Sequence, residues 1–146
     1  MVRSSYIDVI DLKILQILSE NARTPYTRIA RILGLSEAAI RKRVKRLERK
    51  GVIEGYTIKI NYKLLGYNVA WIGIDTVPER MISVLEKVSR IDKNILQSIY
   101  TSVGDHDIML EIVYKDYKEI NELVKNLERI DGVIRVCPAI LIEKIK

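Results

Sequence analysis

The 146-residue chain contains no phenylalanine, one cysteine, one histidine and one tryptophan. The lone Cys137 excludes an internal disulfide and a cysteine-only zinc cage. His106 lies among Asp105, Asp107 and Glu111, but one histidine with nearby acids lacks tetrahedral ligand spacing, so no metal site is expected. No second histidine or nucleophile stands near it to support acid–base or covalent catalysis. No apolar run approaches the roughly 18–20 residues of a membrane span. The opening MVRSSYIDVIDLK lacks the apolar stretch and small-residue cleavage site of a secretory signal. These absences predict a soluble, cytoplasmic protein with no membrane partner, no metal and no cofactor. Glutamine occurs only at Gln16 and Gln97, while isoleucine and charged residues abound, a composition in keeping with a thermophile.

What the chain does have is positive charge, unevenly placed. Residues 1–62 hold thirteen Lys/Arg against six Asp/Glu, and residues 63–146 hold twelve against thirteen, so the net +6 belongs to the first half. Such asymmetry suggests that one half meets a polyanion and the other has a different task. The density peaks in Ser36–Lys50, where seven of fifteen residues are cationic. In this stretch Ile40, Val44 and Leu47 recur at i, i+4, i+7, the stripe of a helix docked on a core. Ala38, Lys42, Lys45 and Arg49 point away from that stripe, and Arg41 and Arg46 flank them.

The surrounding pattern is that of a helix-turn-helix. Asp8 can cap a first helix running to about Asn21, with Asp11 in its first turn, an Ile7–Leu12 staple, and Ile10, Ile14, Ile17 and Leu18 inward. Thr24-Pro25 restarts a helix of about residues 25–33, with Thr24 as cap and Ile29, Ala30 and Leu33 inward. Gly34 suits a left-handed residue after the helix end, and Leu35-Ser36 opens the basic helix with Ser36 as cap. Three residues between the two helices make a tight connection. Gly51 stops the basic helix. Val52-Ile53 and Tyr56–Ile60 then read as a small hairpin, or wing, and Asn61–Gly66 as a linker.

The second half follows another grammar. Val69–Val77, Ile95–Val103, Asp107–Tyr114 and Val133–Glu143 read as strands. Helices are expected from Pro78 to about Ile91 and over Tyr117–Ile130. The order βαββαβ is the ferredoxin-like pattern, and Pro138 predicts an edge or bulge in the last strand. The expected fold class is α+β: a winged helix-turn-helix over residues 1–60, a linker over 61–66 and a ferredoxin-like domain over 67–146.

Two sites follow. Ser36, Glu37, Ala38 and Ala39, at the start of the basic helix, should approach base edges of duplex DNA, and Arg41, Lys42, Lys45, Arg46 and Arg49 bases or phosphates. Thr24 and Thr27 are candidate phosphate donors at the second helix N-terminus. Arg43 lies nearer the buried side, so internal pairing and DNA contact both remain open for it. No aromatic residue interrupts the cations, which favours duplex over single-stranded nucleic acid. The second site is the turn Gly104-Asp105-His106-Asp107. It reads either as an ordinary hairpin or as an effector site, where backbone N–H groups hold an α-carboxylate and Asp105 or Asp107 an ammonium group. Trp71 and the tyrosines read as core or subunit contacts, and Cys137 as a small buried or interface residue.

The ordered set of motifs resembles the Lrp/AsnC (feast/famine) transcriptional regulators, of the archaeal kind. It comprises Asp8-x-x-Asp11-x-x-Ile14-Leu15, Asn21-Ala22-Arg23, Ile29-Ala30, Leu33-Gly34-Leu35-Ser36, Ile40-x-x-Arg43-Val44-x-Arg46-Leu47-Glu48-x-x-Gly51-Val52-Ile53, Gly55-Tyr56, Gly104-x-x-Asp107 and Gly132-Val133. The resemblance implies a DNA-binding regulator, not an enzyme. It further implies dimers that assemble into tetramers or octamers, and an amino-acid effector bound by the second, RAM domain at a contact between dimers. There Asp105 and His106 would fill the variable positions of the Gly-x-x-Asp loop. The sirohaem decarboxylases share this two-domain plan and stand as the enzymatic alternative. An effector-free architectural DNA binder is the other.

Overall fold

A computed structural model describes residues 7–143 and 145, and its internal contacts divide the chain between Lys59 and Ile60. The first unit is three helices: α1 (Val9–Glu20), α2 (Tyr26–Leu33) and α3 (Glu37–Arg49). Asp8 caps α1 in a reciprocal box with Asp11, each side chain accepting the other's backbone N–H. Leu12 is exposed, so the expected staple with Ile7 does not shield it. Pro25, not Thr24, occupies the cap of α2 and, having no polar side-chain atom, offers no side-chain bond; the Thr24 hydroxyl donates to the Asn21 carbonyl at 2.7 Å. Gly34 takes a left-handed φ of 67°, and Ser36 then caps α3 by accepting the Ala39 N–H. Ile14, Leu18, Ile29, Ala30, Ile40 and Val44 form the core of this unit, with Leu47 also buried. These are the inward positions that the helical period predicts.

The hairpin expected after α3 is absent: no strand occurs between Gly51 and Ile60. The reason lies in the end of α3. The Gly51 N–H bonds to Glu48, and the Val52 and Ile53 N–H groups both bond to the Leu47 carbonyl, at 2.9 and 3.3 Å. Those two donors close a helix end and are lost to a ladder. Ile53 packs on the helical core, and Tyr56, Ile58 and Ile60 keep their alternation but stand exposed. The segment expected as a linker contains a short 3-10 turn, Tyr62–Leu65, within the second unit. Its Tyr62 hydroxyl donates to Gln97 at 2.9 Å.

The second unit runs β1 (Asn68–Thr76), a 3-10 turn at Pro78–Arg80, α4 (Met81–Val88), β2 (Leu96–Thr101), β3 (Ile108–Tyr114), α5 (Tyr117–Glu128) and β4 (Val133–Leu141). The sheet order is β2-β3-β1-β4, every neighbouring pair antiparallel. This is the ferredoxin-like βαββαβ arrangement. Strand parity sorts the residues. Ala70, Ile72, Ile74, Ile108, Leu110 and Ile112 meet Val84, Val88, Ile120 and Leu127 of the helices. Trp71, Gly73, Asp75, Met109 and Glu111 point to the opposite face. Pro138 lies in edge strand β4, a position that tolerates its missing N–H.

Leu110 is fully buried at the middle of β3. Leu110→Ala is expected to destabilise the protein by about 2–5 kcal/mol through lost transfer energy and a residual cavity. Urea unfolding followed by far-ultraviolet circular dichroism checks this, and a cost within error of zero would contradict it.

Candidate nucleic-acid interface and effector loop

The cations of α3 fall into two groups by partner. Lys42, Lys45 and Arg49 are exposed along one face of α3 beside Glu48 and have no ion-pair partner among the described residues. Arg41 pairs with Glu37 one turn earlier and stacks over the Tyr26 ring, its guanidinium carbon 5.4 Å from the ring centre. Arg43 and Arg46 turn inward. Arg43 Nη1 donates to Asp8 Oδ2 at 2.6 Å and to Asp11 Oδ1 at 2.8 Å, and Arg46 Nη2 donates to Asp11 Oδ2 at 2.5 Å. Asp11 is wholly buried.

The open question over Arg43 is thus answered by internal pairing, and Arg46, expected at DNA, is also held inside. A buried carboxylate is costly unless paired and hydrogen-bonded, and two guanidinium groups with the Asp8 N–H meet that demand. The sequence pattern marks Asp8 as a cap and Asp11 as a first-turn acid, and gives no sign of their pairing with Arg43 and Arg46. The signal available, for the burial of Asp11, was spacing: Asp11 precedes Ile14 and Leu18 by three and seven residues and so shares their buried face.

Ser36, Ala38 and Thr27 are exposed, Glu37 and Ala39 partly so. Thr24 is half-buried with its hydroxyl proton engaged, which weakens its expected role as a phosphate donor.

In the second unit Gly104 has φ +142° and sits in an open turn between β2 and β3. Asp107 faces β1: its Oδ2 accepts the Thr76 N–H at 2.7 Å and the Thr76 hydroxyl at 3.1 Å. One oxygen of its carboxylate therefore anchors the turn, while Oδ1 has no hydrogen-bond partner among the described residues. The turn is drawn tighter by Ser102, which bonds backbone to backbone with Asp107 and through its hydroxyl to the His106 carbonyl. The His106 ring lies flat on Gly73, where an added Cβ would sit 2.2 Å from Cδ2. Its Nδ1–H donates to Asp75 Oδ1 at 2.7 Å, and Arg135 Nε donates to the other Asp75 oxygen at 2.6 Å. Those two donors, His106 first, hold the Asp75 carboxyl below its ordinary range. Gly73, Asp75 and Arg135 carried no sequence signal, because the register of β1 with β4 alone brings Asp75 and Arg135 together. Asp105 is exposed and has no hydrogen-bond partner among the described residues. No group of three or more His, Cys, Asp or Glu residues among those described is placed to hold a metal ion.

A helix-turn-helix with an exposed cationic row, joined to a ferredoxin-like domain, defines a class: DNA-binding transcriptional regulators with a separate regulatory domain. Residues 7–48 match the AsnC-type helix-turn-helix domain, and residues 69–146 match the Lrp/AsnC ligand binding domain. The chain belongs to the Lrp/AsnC family. It is 51% identical over 142 residues to the transcriptional regulator LrpA of Pyrococcus abyssi, covering 96% of this chain and 99% of the relative. It is 38% identical over 129 residues to the regulator LysM of Saccharolobus solfataricus, covering 88% of each. The structure of E. coli AsnC superimposes with a TM-score of 0.82 at 28% identity, over 97% of this chain and 95% of that one. These relatives are regulators, and so is this chain; it is not an enzyme, which removes the decarboxylase alternative.

Two predictions follow from the geometry. Arg43 holds the Asp8 carboxyl below its ordinary value of 3.8, so around that pH the unfolded chain binds more protons than the folded one. The stability that Asp8 contributes is present above that pH and is lost as pH falls through the folded value. Urea midpoints measured between neutral pH and about pH 3 should therefore fall less steeply with acid for Asp8→Asn than for the parent. An identical slope for the two proteins would contradict the pairing. Gly73→Ala must expel the His106 ring. Since His106 is the only histidine, its imidazole signals report directly. They should move in Gly73→Ala toward those of Asp75→Asn, and unmoved signals would refute the seat on Gly73.

Proposed function

We propose that the chain binds duplex DNA sequence-specifically through α3, assembles through its second unit, and is tuned by an amino acid at the Gly104–Asp107 turn. The observation that carries the DNA reading is the exposed row Lys42, Lys45 and Arg49 on a helix whose opposite face is anchored in a core. Ser36, Glu37, Ala38 and Ala39 lie at the N-terminal end of that helix, the end that recognition helices turn toward base edges. Thr27 is exposed at the start of α2, within reach of a neighbouring phosphate. Arg41 can exchange Glu37 for a phosphate, because both side chains are about half-exposed and such a pair is worth little in water. The cell compartment that suits this role is the cytoplasm.

Assembly is supported by the sheet face opposite α4 and α5, where Trp71, Met109 and Tyr100 are only partly covered or exposed. A second copy presenting the same face would cover it and pair the DNA-binding units. In a dimer the two α3 helices would meet successive major-groove faces roughly 34–36 Å apart, favouring an imperfect palindrome. Dimers then join into a tetramer or octamer. The match of the second unit to a ligand binding domain supports a small-molecule effector. At the turn, Asp105 is the carboxylate free to take an ammonium group, exposed N–H groups near Gly104 suit an α-carboxylate, and Asp107 and His106 hold the turn in shape. An amino acid that binds one assembly more tightly than another shifts the population toward it.

Gel mobility shifts on the protein's own promoter, with and without a panel of amino acids, test this reading. A shift altered by one amino acid and insensitive to it in Asp105→Ala supports the effector site. Footprinting that showed uniform coverage without discrete sites would favour an architectural role instead. Lys42→Gln and Lys45→Gln should each weaken binding at all sequences and flatten the log–log salt dependence by roughly 0.9. An unchanged slope would remove that lysine from the interface.

A further inference from the structure

The pairing of Arg43 and Arg46 has a consequence for DNA binding. Both sit on the basic helix, one turn apart. Arg46 lies one turn from Lys42 and from Arg49, beside the exposed cationic row. Its side chain is 36% exposed, yet its guanidinium is turned to Asp11. Asp8 and Asp11 together cancel the charge of Arg43 and Arg46. We infer that Asp11 is a positioning residue that withholds Arg46 from the DNA backbone, so that α3 binds with fewer phosphate contacts than its sequence offers. This rests on α3 being the DNA-facing helix.

The argument is a comparison of two partners for one guanidinium. A phosphate on the DNA surface is solvated and screened, and a cation gains from it mainly by releasing counterions. Asp11 has no exposure at all, so Arg46 cannot leave without stripping a buried carboxylate of one of its three donors. The internal pair therefore persists when DNA arrives. Phosphate contacts add affinity without regard to sequence. Withholding one lowers binding to every duplex alike and leaves a larger share of the total to base contacts. The two guanidinium bonds to Asp11, with that of Arg43 to Asp8, fix the angle of α3 on α1, so the carboxylate sets both the pose of the reading helix and the number of its working cations.

The test uses the full chain and a mixed-sequence duplex oligonucleotide, with affinity measured across a salt series. Arg46→Gln in the otherwise unaltered protein should leave the log–log slope unchanged. Asp11→Asn removes the negative charge that holds Arg46, leaving one neutral amide oxygen to be shared with the Asp8 N–H, and should steepen the slope by about 0.9, which is about 3.5-fold in affinity over a fourfold change in salt. The double variant Asp11→Asn, Arg46→Gln should return to the parental slope. A purely structural role for Asp11 would not produce a steepening that Arg46→Gln reverses. Flattening by Arg46→Gln alone overturns the inference, and it does so even if thermal melting shows Asp11→Asn to be unfolded. A folded Asp11→Asn with the parental slope also overturns it. No binding by the parent protein at low salt would instead overturn the placement of α3 on DNA, and this inference with it.

Discussion

A single carboxylate buried beneath the basic helix constrains the DNA-binding unit more than any other group. Asp11 completes the cap of α1 and receives Arg43 and Arg46 from α3. The surrounding core of Ile14, Ile29, Ile40 and Val44 is apolar and non-directional. Such a core holds the three helices together but tolerates small rotations of one on another. Charge-assisted hydrogen bonds are directional, and a buried carboxylate left without partners is costly. The basic helix α3 is therefore located by polar bonds, on a base supplied by apolar packing.

The regulatory unit divides labour similarly. One face of its sheet is filled by Ile72, Ile74, Leu110 and Ile112 against α4 and α5. At the end of that sheet, polar groups fix the turn before β3. Asp107 binds Thr76 of β1, while His106 lies on Gly73 and reaches Asp75, which Arg135 of β4 also binds. The turn is thereby tied to the two strands β1 and β4. A ligand bound there would press on a rigid feature of the sheet, which is what coupling to an assembly equilibrium requires.

Most of the fold was legible in the sequence because hydrophobic periodicity reports secondary structure directly. The helical stripe Ile40, Val44, Leu47, the four strands of the second half, and the caps at Asp8 and Ser36 all reappear in place. The failures share one physical origin. The alternation Tyr56, Ile58, Ile60 satisfies the strand pattern, yet a strand needs a partner whose N–H groups are free, and those of Val52 and Ile53 close α3. Thr24 is a good cap by type, but α2 begins one residue later, with Pro25 in the cap position. Arg46 flanks the outward cations on a helical wheel, but a long flexible side chain follows the strongest partner within reach, and that partner lies in another helix.

The sequence by itself determined the two-part organisation, the positions of the helices and strands, the surplus of cations on one helix and the family to which the chain belongs. Each of these depends on local pattern or composition. The tertiary structure alone decided which cations of α3 are paired internally, that Asp107 binds Thr76, and where His106 rests. Those outcomes depend on pairings across 31 to 60 residues of chain, as between Thr76 and Asp107 or Asp75 and Arg135. Hydrogen bonds and ion pairs act over a few ångströms, so their partners are chosen by packing and register rather than by neighbourhood in sequence.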